Sequence, residues 1–340
     1  MSEFSKELDK VWNDRHSGSV EILGKYVDLF KRFTDLKGQK IHKQKQPTDL
    51  YDLQTDQENR RPGPLRNHPG KSSKYDLPEK NTLLNIIHAS IKRHGSFLVV
   101  SHFLNEIVGF LESNRRNWQG DLAHLISNYE ISWSNVNERI AETAGKLLDL
   151  SNKTILLHSN SSAIKSFFAS QKTHALKISL IQTESRPLME GRIQAEFLAH
   201  SGYKVKVIAD SAIGRYAGIA DMAVVGTDGI YSEYFVNKCG SLPIALICRE
   251  KGIPLYVLAD SRKIWPVSEI SNHNRQLKAI KGKKSVNRIS IDEIFHEEIK
   301  PPDELWKNPP ANVIVENYYF EIIPNKLVTL FITEKGSFIY

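Results

Sequence analysis

The sequence predicts an α/β protein in two parts, an N-terminal all-helical domain followed by a parallel-sheet domain. Two observations carry that expectation. Up to about residue 150 the apolar residues recur at helical spacing, with no strand-like run between them. After Asn152 short β-branched runs alternate with helical stretches as far as residue 259, which is the pattern of βαβ units. The expected domains are 1–150, with a long polar insertion at about 36–80, and 151–340.

Taking the elements in order, residues 5–34 are amphipathic, with Val11, Ile22, Leu23, Tyr26, Val27 and Phe30 on one helical face. Asp14-Arg15-His16-Ser17-Gly18-Ser19 interrupts the pattern, as a helix–helix turn or as a helix start able to hold an anion on its N–H groups. From Gly38 to Lys80 periodicity fails and five prolines intervene. Gly70-Lys71-Ser72 is not a phosphate loop, because Leu65 stands where its first glycine is needed. Helical patterning returns at 82–93, 97–112 and 134–148.

In the second half, strands are predicted at 154–157, 176–181 (LKISLI), 205–209 (VKVIA), 222–225 (MAVV) and 253–259 (IPLYVLA). A helix is expected from about Ala163. Residues 291–298 have helical potential, and 320–323 with 328–332 read as one more strand.

Composition narrows the function. The net charge is +7, of which the segment 36–80 contributes +4 from ten Lys/Arg against six Asp/Glu. Those basic residues lack the interleaved aromatics that read single strands, so nucleic acid is not an expected partner. No apolar run reaches the eighteen or so residues that span a bilayer, and the N-terminus has no apolar signal core, so a cytoplasmic location is expected. Cys239 and Cys248 have no CxxC spacing, which argues against a zinc site or disulfide framework; no metal or cofactor is expected.

The chemistry gathers between Thr183 and Ser241. The runs at 176–181, 205–209 and 222–225 are each followed at once by polar residues. In open parallel sheets ligands bind beyond the strands' carboxyl ends, so three neighbouring strands ending this way make one site. Its candidates are Ser159, Glu184, Arg186, Asp210, Asp228, Asn237 and Lys238. Arg186 and Lys238 suit a phosphate, and Asp228, exposed by the small turn Gly226-Thr227-Asp228-Gly229, suits acid–base work on a sugar hydroxyl. Asp210, followed by Ser211-Ala212, reads instead as a helix cap. His158, next to Ser159 on a strand, points to the opposite face and reads as a packed residue.

These residues carry a resemblance. TESRPLMEG (183–191), DSA (210–212), VVGTDGI (224–230), NKCGS (237–241) and YVLADSRKI (256–264) resemble the signature of the translation initiation factor 2B alpha/beta/delta family, which includes the methylthioribose-1-phosphate and ribose-1,5-bisphosphate isomerases. The likeness extends back to HSNSSA (158–163) and on through 317–336, with a weaker match of DRHSGS (14–19) to the family's phosphate-binding turn. It implies a Rossmann-like second domain and a homodimer formed through it, with related subunits or translation factors as further partners. It also implies a sugar phosphate or nucleotide as ligand, bound by Arg15, Ser19, Glu184, Arg186, Glu190, Asn237 and Lys238.

The resemblance further implies that isomerase members use a Cys and an Asp. Here Asp228 occupies the Asp position, whereas the Cys position is Ser159. A thiol can exchange a proton near neutral pH, and a hydroxyl cannot without a strong base beside it. Glu190 stands where the isomerases carry Gln, and its carboxylate would repel a substrate phosphate. Both departures favour a non-catalytic regulatory member. The alternative is an aldose–ketose isomerase of a phosphorylated pentose, with Asp228 catalytic and Ser159 in place of the thiol.

Overall fold

The computed structural model describes residues 3–14, 17–34, 77–94, 97–113, 118–171, 177–265, 297 and 299–340. Nearly all of the polar insertion, with Gly70-Lys71-Ser72, lies outside the described residues, as do 291–296 and 298 of the last expected helix.

The first part is helical. Helices α1 (Glu3–Trp12) and α2 (Ser19–Thr34) are separated at the predicted break. They pack with α3 (Lys80–Arg93), α4 (Leu98–Glu112) and α5 (Trp118–Trp133) around Phe4, Tyr26, Phe30, Leu83 and Phe103. Helix α5 was not predicted: only Leu122, Ile126 and Tyr129 of its sixteen residues are buried, a stripe too sparse to stand out. Helix α6 (Val136–Leu147) turns away from this bundle and buries Val136, Ile140 and Ala144 against the sheet.

The second part is built on seven strands: β1 (Thr154–Leu157), β2 (Ser179–Thr183), β3 (Lys204–Ile208), β4 (Met222–Val225), β7 (Leu255–Leu258), β9 (Leu330–Thr333) and β10 (Gly336–Phe338). Their order is β10-β9-β7-β4-β1-β2-β3, and every pair is parallel except β10–β9. Helices α7 (Ser162–Ser170), α8 (Glu190–His200) and α9 (Ser241–Lys251) connect the strands. The alternation along each strand feeds two cores. Ile155, Leu157 and Val224 join one, and Leu156, Ala223 and Val225 the other.

Beside the main sheet, β5 (Gly229–Ile230), β6 (Tyr234–Lys238) and β8 (Phe320–Pro324) form a small antiparallel sheet. The stretch 320–333 therefore supplies one strand to each of two sheets, where the sequence suggested a single strand. The Pro324-Asn325 turn redirects the chain between them.

The strand order sets the place of the site. Chain progression reverses between β1 and β4, which lie side by side, and such a switch point opens a crevice at the strands' carboxyl ends. The three strands expected to deliver one site are not all neighbours: β2 pairs with β3, which is the sheet's edge, but β1 separates β2 from β4.

Candidate functional site

A cavity of about 210 Å³ lies at this switch point and is closed from the helical side by the start of α2. The loop after β1 forms one wall. Ser159 adopts a left-handed backbone (φ 65°). Its N–H donates to Ser185 Oγ (2.8 Å), and its carbonyl accepts from Gln182 Nε2 (3.1 Å). Ser161 N–H donates to Gln194 Oε1, whose amide in turn donates to Gln182 (both 2.9 Å). These two buried glutamines fix the loop from below, and Ser161 caps α7 through Ile164 N–H.

His158 is fully buried beneath this loop. The Cys239 carbonyl can only accept, so Nε2 carries the ring proton and donates to it (2.9 Å), and Nδ1 accepts from Thr183 Oγ1 (2.6 Å). Burial lowers its pKa to about 4, which keeps the ring neutral. It does not serve Ser159 as a base.

The turn after β4 forms the opposite wall. Asp228 N–H donates to the Val236 carbonyl (2.9 Å), which aims the carboxylate at the N-terminus of α2, where Ser19 Oγ donates to Oδ1 (2.7 Å). Lys263 Nζ donates to the Thr227 carbonyl (2.7 Å) and steadies the same turn. Burial and the Asp228 carboxylate together push the Tyr231 phenol upward, so this neighbour stays protonated.

Strand β6 brings Asn237 and Lys238 to the cavity. Asn237 Nδ2 donates to Ser241 Oγ (2.8 Å). The Lys238 side chain is only 2% exposed; its Nζ lies 2.9 Å from Glu190 Oε2 and 4.5 Å from the centroid of the Tyr319 ring. Ser159 Oγ is 3.4 Å from the same carboxylate oxygen. Glu190 is thus joined to the lysine and to the Ser159 hydroxyl. Neither cysteine lines the cavity. Burial, aided by Glu321 and Glu297, pushes the Cys239 thiol up to about 12, and burial alone raises Cys248 to about 11. No thiolate is available near neutral pH.

Of the residues singled out by sequence, Ser19, Ser159, Glu190, Asp228, Asn237 and Lys238 meet around the cavity. Glu184 and Arg186 do not. Glu184 pairs with Arg192 (3.0 Å), and Arg186 follows a left-handed Ser185 that carries its side chain out to solvent. Arg15 lies outside the described residues. Asp210 does not cap its own turn; its carboxylate accepts from Ser185 N–H (2.8 Å) and Arg186 N–H (2.7 Å) and holds the loop behind the site. Sequence reasoning missed Lys165, Glu21 and Lys263. Lys263 was within reach, since it belongs to the ADSRKI stretch. Among the described residues no three His, Cys, Asp or Glu side chains form a metal-binding group.

Known proteins resemble this chain in sequence and in fold. The profile of the initiation factor 2 subunit family matches residues 74–339. The chain is 29% identical over 208 residues to a ribose 1,5-bisphosphate isomerase of Archaeoglobus fulgidus, covering 61% of this chain and 60% of that protein. It is 30% identical over 201 residues to a putative translation initiation factor eIF-2B subunit 2-like protein of Pyrococcus horikoshii, covering 58% and 61%. The chain thus spans about three-fifths of the length of these curated relatives. The crystal structure of the Pyrococcus horikoshii OT3 translation initiation factor eIF-2B superposes with a TM-score of 0.67 at 22% identity, covering 100% of this chain and 98% of that one. The 5-methylthioribose 1-phosphate isomerase of the same organism gives 0.63 at 20% identity, covering 99% and 84%. These two structural likenesses concern the fold.

Proposed function

From membership of the initiation factor 2 subunit family, to which this chain belongs, we propose a regulatory protein that binds a sugar phosphate or nucleotide in the switch-point cavity without isomerising it. The observation that carries this reading is the environment of Ser159. Its hydroxyl faces a carboxylate already paired with Lys238, the adjacent histidine has both ring nitrogens engaged, and both thiols are buried and protonated. Lys165, Lys263 and the first N–H groups of α7 supply the anion-binding character. Asp228 and Ser19 join the two halves of the molecule over the ligand. A homodimer through the sheet region, and association with related subunits, belong to the same proposal.

One observation favours the isomerase alternative: two carboxylates, Asp228 and Glu190, face one cavity. Phosphorus NMR with a panel of aldose 1-phosphates separates the readings. The regulatory reading expects shifts of the ligand resonances without new species. Ketose-phosphate resonances that disappear in Asp228→Asn would establish the isomerase instead.

A further inference from the structure

We propose that the Lys238–Glu190 pair determines the ligand class of this cavity: it admits a sugar carrying a single phosphate and refuses a second phosphate at the Lys238 corner. The inference deepens the pocket reading above and rests on it.

Three cations line the cavity, Lys165, Lys238 and Lys263, with Glu21, Glu190 and Asp228 as the acidic groups. Lys238 is the most deeply buried of the cations, and its ammonium is held between the Glu190 carboxylate and the Tyr319 ring. Glu190 is the more accessible member, with 25% of its side chain exposed against 2% for the lysine. An anion approaching Lys238 therefore meets an acceptor-only group of its own sign, and like charges at contact distance repel strongly in a partly desolvated site.

Hydroxyl groups behave oppositely, because they can donate to Glu190 and Asp228. The Lys238 corner is thus shaped for the hydroxyls of a sugar. Among the described residues Lys263 is bound only to a neutral carbonyl, so no carboxylate there competes with a ligand for it. Lys165 stands in the first turn of α7. One phosphate at Lys165 and Lys263, with the sugar hydroxyls on Glu190 and Asp228, leaves Lys238 paired with Glu190.

Calorimetry of the full chain with ribose 5-phosphate and with ribose 1,5-bisphosphate tests this, with inorganic phosphate as reference. The wild type should bind the monophosphate at least about tenfold more tightly than the bisphosphate. Glu190→Gln should shift that ratio toward the bisphosphate by about tenfold or more. The double variant Glu190→Gln/Lys238→Met, whose corner has neither the repelling carboxylate nor the attracting ammonium, should give a ratio between those of the wild type and Glu190→Gln. A wild-type preference for the bisphosphate, or a ratio unmoved by Glu190→Gln, overturns the inference while leaving the pocket reading intact. Should Glu190→Gln not fold, the wild-type ratio decides alone. No binding of either sugar by any folded form overturns the pocket reading and the inference with it.

Discussion

At the residue scale the most constrained group is His158. Its imidazole joins the end of β1 to Thr183 on β2 and to the turn after β6, so one ring registers three pieces of backbone beneath the cavity. That role requires a neutral ring, and it fixes the sign of a pH effect. In the unfolded chain the imidazole takes up a proton as the pH falls through about 6.5, whereas the folded ring resists until about 4. More protons bind to the unfolded state in that window, so stability falls as pH drops from about 6.5 to 4 and is fully present above it. The loss is on the order of 3 kcal/mol for one such group. His94, buried and lowered to about 4 by the same cause, acts in the same direction. Glu297 and Glu321, whose carboxyls burial raises, act in the opposite direction. Comparing variants therefore isolates the ring better than the raw slope does. Urea unfolding at pH 7.5 and pH 4.5 should show a smaller loss for His158→Gln than for the wild type. An equal loss would remove the neutral-ring role.

At the element scale the site depends on how closely α8 presses on the end of β2. A Cβ built on Gly191 would lie 1.8 Å from the Thr183 carbonyl oxygen, which is backbone and cannot swing aside. Gly191→Ala should therefore push α8 off the strand, displace Glu190 from Lys238 and cost on the order of 2–4 kcal/mol. Gly24, exposed in the middle of α2 with open space around it, makes the control. Gly24→Ala should stabilise by about 0.5–1 kcal/mol through helix propensity. Chemical denaturation of the two variants measures both, and a Gly191→Ala loss below that of an ordinary surface change would sink the contact. This contact also marks what the sequence could and could not disclose. Strands β1 and β4 match the predicted residues, because their β-branched runs are bounded by clear turn signals. Most of the cavity's residue types were legible too, as polar groups following strands. The pairings were not. Ser19 meets Asp228 from 209 positions away, and Glu190 meets Lys238 only because the crossovers order the strands as they do. Arg186 misled for the same reason: local composition suits a phosphate, but the backbone turn at Ser185 aims it outward.

At the scale of the whole molecule, the helical bundle and the sheet are joined beside the cavity through Arg262, which is held by a buried ion pair within the loop after β7. Asp260, at the end of β7, accepts from Arg262 Nε with both carboxylate oxygens (3.0 Å each) and pairs with its Nη2 as well. The other face of that guanidinium belongs to α5: Arg262 lies 4.3 Å from the Trp133 ring centroid, and its Nη1 donates to the Tyr129 hydroxyl (3.2 Å). Both charged side chains are almost wholly buried, so little water screens the pair. Arg262→Ala leaves Asp260 buried without its cation and strips the stacking partner from Trp133, and such a change costs about 3–5 kcal/mol. The next residue, Lys263, holds the turn that carries Asp228, so the loss should reach the ligand. The expected result is a lower denaturation midpoint together with weaker sugar-phosphate binding by the fraction that remains folded at low denaturant. Arg262→Lys keeps the charge but not the planar fork, and should recover only part of each effect. Full recovery of both by lysine would mean that charge alone joins the two halves, and that the stack on Trp133 contributes nothing to holding the cavity closed.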